Sequence, residues 1–244
     1  MAAIIELNNI SFSAQNQIIV RDFSHQFDEG KTTALVGPSG GGKSTVLKLA
    51  AGLLIPTGGD VLFRGKSIAR MNRKEALNFR KEGAVVFQDS ALWANQDLHQ
   101  ILELPLRIHF PDMSKSDREQ RIREVLKDVG YTKELSARPA MLSMGEQKLI
   151  AFARAMSCRP DLLFLDEWTE SLDDTGARRL IDIVKHWQKD NKTILFVSHD
   201  FKIIKDLADY ILMILGGRLF LKLTREEIVR DDDMARYIEK GIAS

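Results

Sequence analysis

The chain has 244 residues, 44% of them hydrophobic, enough to bury the core of one large domain. Lys and Arg number 35 against 34 Asp and Glu, and a formal net charge of +1 gives no electrostatic case for nucleic acid as a partner. The single cysteine, Cys158, excludes an intrachain disulfide, suits a reducing compartment, and reads as a small buried hydrophobe in a helix.

Met1 to Leu7 lacks the basic region and long apolar core of a signal peptide. The longest apolar runs, such as Tyr210–Leu215, fall far short of the ~20 residues that span a bilayer. Any membrane role is therefore expected to run through a partner.

In chain order, residues 3–30 alternate short apolar runs with turns and predict strands. Thr32–Val36 predicts a buried strand. It leads into Gly37-Pro38-Ser39-Gly40-Gly41-Gly42-Lys43-Ser44, and a helix is expected over Thr45–Ala51. A turn at Pro56-Thr57-Gly58-Gly59 precedes a short strand, Val61–Phe63. Arg64–Glu82, charge-rich with helical spacing, predicts a solvated helix, and Ala84–Phe87 a buried strand ending at Gln88. Residues 89–157 carry no strand signal. They hold an apolar-dotted segment (Leu92, Trp93, Leu98, Ile101, Leu102, Leu104, Leu106) and a charged helix over Ser116–Val129 opened by a capping box, Ser116 with Glu119. A second helix after Leu142 is capped by Ser143 with Glu146. Alternation then resumes with a strand at Leu162–Leu165, a helix over Asp174–Lys189 and a strand at Thr193–Val197. Tyr210–Leu215 and Arg218–Leu223 flank Gly216-Gly217 as a hairpin, and Thr224 with Glu227 caps a last helix. The pattern is an α/β parallel sheet with an antiparallel patch and a helical insertion.

The glycine-rich segment reads G-x-x-x-x-G-K-S, a complete phosphate-binding loop. Its backbone N–H groups can surround phosphate oxygens, and the following helix turns its positive end toward them. Lys43 adds a point charge for the β- and γ-phosphates, and the Ser44 hydroxyl is a Mg²⁺ ligand. Asp166 and Glu167 close an apolar strand, where ligands of open α/β sheets gather. Asp166 is suited to hold Mg²⁺ directly or through water, and Glu167 to position or deprotonate an attacking water. His199 and Gln88 also end strands. The first is placed for a γ-phosphate contact, or for a capping turn around Ser198 and Asp200; the second for metal or water, or as a plain loop residue.

Together, the phosphate loop, Gln88, Leu142-Ser143-Met144-Gly145-Glu146, Leu162–Glu167, Ser171-Leu172-Asp173 and His199 resemble an ABC-type ATPase domain over residues 4–220. The resemblance implies a P-loop NTPase fold. It has a RecA-like parallel sheet, an antiparallel β subdomain and a helical subdomain inserted at 89–157, all in one domain spanning 1–244 with a helical tail at 224–244. It further implies that Gly37 to Thr45 bind ATP and that Gln88 senses Mg²⁺ and water. Glu167 would be the general base and His199 the γ-phosphate contact. In a head-to-tail homodimer, Ser143 and Gly145 would serve the partner's nucleotide, and Asp173 would link the two sites.

Three positions depart from the family pattern. Ala14 stands near where an aromatic ring usually stacks on adenine, worth ~1–3 kcal/mol by analogy with base stacking; Phe12 is the nearest ring, and strand alternation makes it a core residue. Met144 replaces the first glycine of the signature segment, and Trp168 replaces a usual proline. Phe87–Trp93 followed by Leu104-Pro105-Leu106-Arg107 resembles the ATPases of Mla/Mce-type lipid transport systems, as does Tyr237–Ile242. The expectation is an ATPase subunit of a bacterial ABC transporter of lipids, on the cytoplasmic face of the inner membrane, meeting its permease through segment 89–107. The alternative is a soluble ABC ATPase serving a protein assembly, such as iron–sulfur cluster maturation. A non-hydrolysing regulatory module is disfavoured by Glu167 and His199.

Overall fold

Two sheets carry the molecule, seen in a computed structural model that describes residues 2–230. β1 (Ala3–Ala14) and β2 (Gln17–Asp28) pair antiparallel around a turn in which Gln15 and Asn16 both take positive φ. β4 (Gly58–Phe63) and β5 (Lys66–Ser67) extend this sheet in the order β2-β1-β4-β5. The second sheet contains β3 (Thr32–Val36), β6 (Gly83–Val86), β7 (Leu162–Asp166), β8 (Thr193–Val197), β9 (Tyr210–Leu215) and β10 (Arg218–Thr224). Its order is β10-β9-β3-β8-β7-β6, parallel except for β10, which returns antiparallel to β9.

Every residue of β3, β7 and β8 is buried, as a parallel strand covered on both faces requires. Side chains alternate between two cores. Ala34, Val36, Leu163, Leu165, Ile194 and Phe196 face the helical side, whereas Leu35, Leu162, Phe164, Leu195 and Val197 face the first sheet and α1 (Lys43–Ala50). Between β6 and β7 the described chain is helical: α3 (Leu98–His109), α4 (Lys115–Val129) and α5 (Met144–Met156). The remaining α-helices among the described residues are α2 (Arg73–Glu82), α6 (Asp174–Lys189), α7 (Phe201–Leu207) and α8 (Arg225–Arg230).

Several local expectations need correction. The stretch from Arg64 to Glu82 is not one helix: β5 and a 3₁₀ turn at Ile68–Arg70 come first, and α2 begins only after Asn72 caps it. α4 starts earlier than expected, because Ser114 and not Ser116 accepts the capping hydrogen bond, from the Asp117 N–H at 3.1 Å. The loop helix likewise opens at Lys43. Cys158 lies in the turn just past α5 and is half-buried, so it is not a helix-core residue. Tyr237–Ile242 lie outside the described residues.

Candidate nucleotide site

The glycine loop hangs between the end of β3 and α1 at the carboxyl edge of the parallel sheet. Gly37 takes φ 140°, and a Cβ there would sit 2.2 Å from the Ile214 carbonyl oxygen, so a side chain is excluded on two counts. The Gly217 N–H donates to the Gly41 carbonyl at 3.2 Å, tying the β9–β10 hairpin to the loop. Lys43 curls back over the loop, donating to the carbonyls of Gly37 at 2.8 Å and Pro38 at 2.9 Å. Burial pushes its ammonium pKa down, against the pull of Glu167 and Asp166. Ser39 and Gly40 form the exposed tip, and Thr45 is half-buried on the first turn of α1.

The expected metal-side residues meet. The Ser44 hydroxyl donates to Asp166 Oδ1 at 2.8 Å, and Lys48 Nζ lies 4.0 Å from Asp166 Oδ2. Burial pushes the Asp166 carboxyl up, while the Ser44 hydrogen bond and the Lys48, Lys148 and Lys43 charges pull it down. A hydroxyl and a carboxylate on adjoining elements are hard oxygen donors, which suits Mg²⁺ held jointly by protein and substrate phosphates. Gln88 is exposed, and its amide donates to Glu170 Oε2 at 3.1 Å.

Glu167 follows directly, 5% exposed and at φ 43°, a left-handed conformation that strains a residue bearing a Cβ. Its Oε1 lies 3.2 Å from His199 Nε2, yet among the described residues it accepts no well-formed hydrogen bond. Burial pushes the carboxyl pKa up; His199 opposes this, and Glu170 and Asp166 reinforce it. A buried carboxylate with a free lone pair beside an exposed imidazole is the arrangement expected of a proton acceptor. The capping alternative for the V-S-H-D turn is also realised, because Asp200 caps α7 and leaves the His199 ring free to face Glu167.

Ser143, Gly145 and Asp173 form a second group. No hydrogen bond or ion pair among the described residues joins them to residues 37–45. Ser143 caps α5, with the Glu146 side chain returning to its N–H at 2.9 Å. Asp173 caps α6 by accepting from the Gly176 N–H at 2.7 Å. A Cβ on Gly145 would lie 2.8 Å from the Ser171 carbonyl, so glycine lets the two caps approach. Met144 is 70% exposed beside them.

Three participants were not foreseen from the sequence: Lys48 beside Asp166, Glu170 holding Gln88, and Lys148, a lysine inside the apolar stripe Ile150, Ala151, Phe152, Ala155 of α5. A charged residue on an otherwise buried helix face was the available signal for the last. Trp168 is fully buried against Phe152, ring centroids 5.9 Å apart, and so anchors the strained Glu167 in the core. A groove of about 520 Å³ opens beside the site, lined by Leu53, Phe79, Phe87, Trp93, Leu104 and Ile108 among others.

A family model described as "ABC transporter" matches residues 20–170. The uncharacterized ABC transporter ATP-binding protein YejF of Escherichia coli K12 is 36% identical over 208 residues, 84% of this chain; the chain spans only 39% of that relative's length. The intermembrane phospholipid transport system ATP-binding protein MlaF of Haemophilus influenzae is 31% identical over 238 residues, covering 95% of this chain and 88% of that one. The nickel import ATP-binding protein NikE of Shigella flexneri is 32% identical over 233 residues, covering 93% and 87%. Among solved structures, the dimeric ATP-binding cassette MJ0796 in a post-hydrolysis state with ADP and Pi superposes with a TM-score of 0.83 at 26% identity, covering 91% of this chain and 98% of that one.

Proposed function

The chain belongs to the ABC transporter family of ATP-binding subunits and is an ATPase, and from that premise we propose how its own residues bind and cleave ATP and what they drive. Residues Gly37, Pro38, Ser39, Gly40, Gly41, Gly42, Lys43, Ser44 and Thr45 cradle the triphosphate. Lys43 exchanges its two loop carbonyls for phosphate oxygens, which restores to the ammonium acceptors of full negative charge. Ser44, Asp166 and Gln88 would hold Mg²⁺, which when bound would supply neutralisation of phosphate charge. Glu167 takes a proton from water as the water oxygen attacks the γ-phosphorus, and the bond to the β-phosphate oxygen breaks to leave ADP and phosphate. His199 donates to the γ-phosphate. The observation that carries this reading is the buried, unsatisfied Glu167 carboxylate beside the Ser44–Asp166 pair.

Two copies close head-to-tail around two ATP, with Ser143 and Gly145 facing the partner's γ-phosphate and Asp173 at the junction. The dimeric MJ0796 cassette supports this arrangement. No helix among the described residues is long and apolar enough to cross a membrane, so contact with the membrane runs through a permease seated in the Trp93–Leu104–Ile108 groove. The transported substrate is a lipid. Likeness to MlaF over 95% of the chain and the Phe87–Trp93 and Leu104–Arg107 segments support it. Nickel is the second reading, favoured by the equal likeness to NikE.

The test is Glu167→Gln. It removes the base and leaves the cradle intact, so ATP binding is expected to persist while steady-state hydrolysis falls by roughly 10²–10⁴-fold and an ATP-bound dimer accumulates. Hydrolysis at the wild-type rate would remove Glu167 from the base role.

A further inference from the structure

Lys148 is 2% exposed on the inner face of α5. A buried ammonium is costly unless its donors are satisfied, and it has three of them and no acceptor. Here Nζ lies 2.6 Å from the carbonyl oxygen of Gln88, 3.1 Å from that of Phe87 and 3.3 Å from that of Glu167. All three acceptors are backbone, and among the described residues no carboxylate lies within ion-pair distance. The ammonium's hydrogen bonds therefore fix the run of two chain segments, while the carboxylates of Glu170, Asp166, Asp89 and Glu167 act on it only through space.

Those segments are the two that matter for turnover. Gln88 leaves the end of β6 toward the metal side, with Phe87 in the groove behind it. Glu167 leaves the end of β7 at φ 43°, a conformation that persists only where its surroundings hold it. Its N–H is held by the Val197 carbonyl at 3.2 Å and its carbonyl by Lys148. The same helix begins at its cap Ser143, about one and a half turns before Lys148.

We infer that Lys148 is a positioning residue for hydrolysis: by tying the Phe87, Gln88 and Glu167 carbonyls to α5, it fixes the Glu167 peptide, and with it the carboxylate, relative to Gln88. The inference rests on the reading of Glu167 as base. It assigns Lys148 no contact with nucleotide, since its three donors are spent on the backbone. A displacement of about 1 Å at a catalytic group is enough to cost on the order of a hundredfold in rate, so a clamp of this kind shows in kcat and not in binding.

The experiment compares Lys148→Met, Lys148→Gln and Lys148→Arg in the full chain, each also combined with Glu167→Gln. Steady-state ATP hydrolysis and the affinity for a fluorescent ADP analogue are both read. Lys148→Met is expected to lower kcat roughly ten- to hundredfold with KM and ADP affinity within about twofold. Lys148→Gln, which keeps two donors, and Lys148→Arg should recover part of the loss. In the Glu167→Gln background, Lys148→Met should cost nothing further, because the group it positions is already gone. Should Lys148→Met fail to fold, Lys148→Gln carries the same comparison, with a smaller but measurable kcat loss expected. The clamp is overturned if folded Lys148→Met or Lys148→Gln turns over at the wild-type rate. It is equally overturned if ADP affinity falls in step with kcat, or if the loss multiplies onto that of Glu167→Gln. Wild-type turnover by Glu167→Gln alone overturns the base assignment instead, which keeps the two failures apart.

Discussion

At the residue scale, the site is built by conflict between burial and charge. Among the described residues, Glu167 is kept from water and from a full hydrogen bond at once, and Trp168 behind it fills the core with an indole N–H that finds no partner. Ala14 shows the opposite economy. It closes β1 at a tight turn with only a methyl group, paired across the turn with Gln17. With no ring to stack on the base, discrimination between purines should be weak, and GTP should bind within roughly tenfold of ATP, about 1.4 kcal/mol. Ala14→Tyr should then tighten ATP. Nucleotide titration of the two proteins checks both, and unchanged ATP affinity in the variant would mean that the base is covered from elsewhere.

At the element scale, the strands of the parallel sheet and α6 are legible because their sequences say one thing at every level. Thr193–Val197 holds three β-branched residues (Thr193, Ile194, Val197) and is apolar after Thr193, and Asp173 caps α6 one residue before the predicted start. The failures come where two signals compete. Ser114 and Ser116 are each followed three residues later by an acid, and the earlier one wins. The sequence of α3 shows only an apolar-dotted segment. Pro105 inside it argues against a helix, and the Asp97–Gln100 capping box that starts it is easily passed over. In the site, the motif residues were legible, whereas Lys148 was not, since its partners are carbonyls 60 and 61 residues before it and 19 after it, and carbonyls have no sequence signature.

His25 on β2 gives that strand a pH dependence. Burial pushes its pKa from 6.5 to about 4, with Lys222 adding to the effect and Asp28 opposing it, and the ring packs edge-on to Phe27 at 4.7 Å. Below about pH 6.5 the unfolded chain takes up a proton that the folded ring refuses until about pH 4. The contribution is therefore complete above 6.5 and is lost as pH falls through that window, roughly 3 kcal/mol in all. Urea unfolding at pH 7 and pH 4.5 should show a smaller difference for His25→Phe than for the wild type. Equal differences would mean that His25 does not titrate differently in the two states.

At the scale of the whole molecule, the groove and the nucleotide site share a wall. Trp93 is 43% exposed on the groove, with the Arg154 guanidinium 5.5 Å above its ring, and Phe87 and Gln88 are consecutive. On the docking proposed above, a charge at Trp93 would meet solvent in the isolated subunit and an apolar partner in the complex. Trp93→Glu should therefore fold and bind nucleotide normally and co-purify poorly with membrane-embedded subunits. A variant that assembles and transports normally would move the docking surface elsewhere, and one that unfolds would show that the ring belongs to the core.

The order of the strands also governs how the protein comes into being. β3 carries the glycine loop, yet its neighbours in the sheet are β8 and β9, which begin at Thr193 and Tyr210. A nascent chain exposes Gly37–Ser44 early and must keep it without a wall until some 175 further residues have left the ribosome. Contacts of such separation are slow to form and leave apolar strand edges open meanwhile. The cradle for phosphate is thus among the last parts to take shape, and a chain cut before Thr193 would carry the whole motif without the structure that makes it bind.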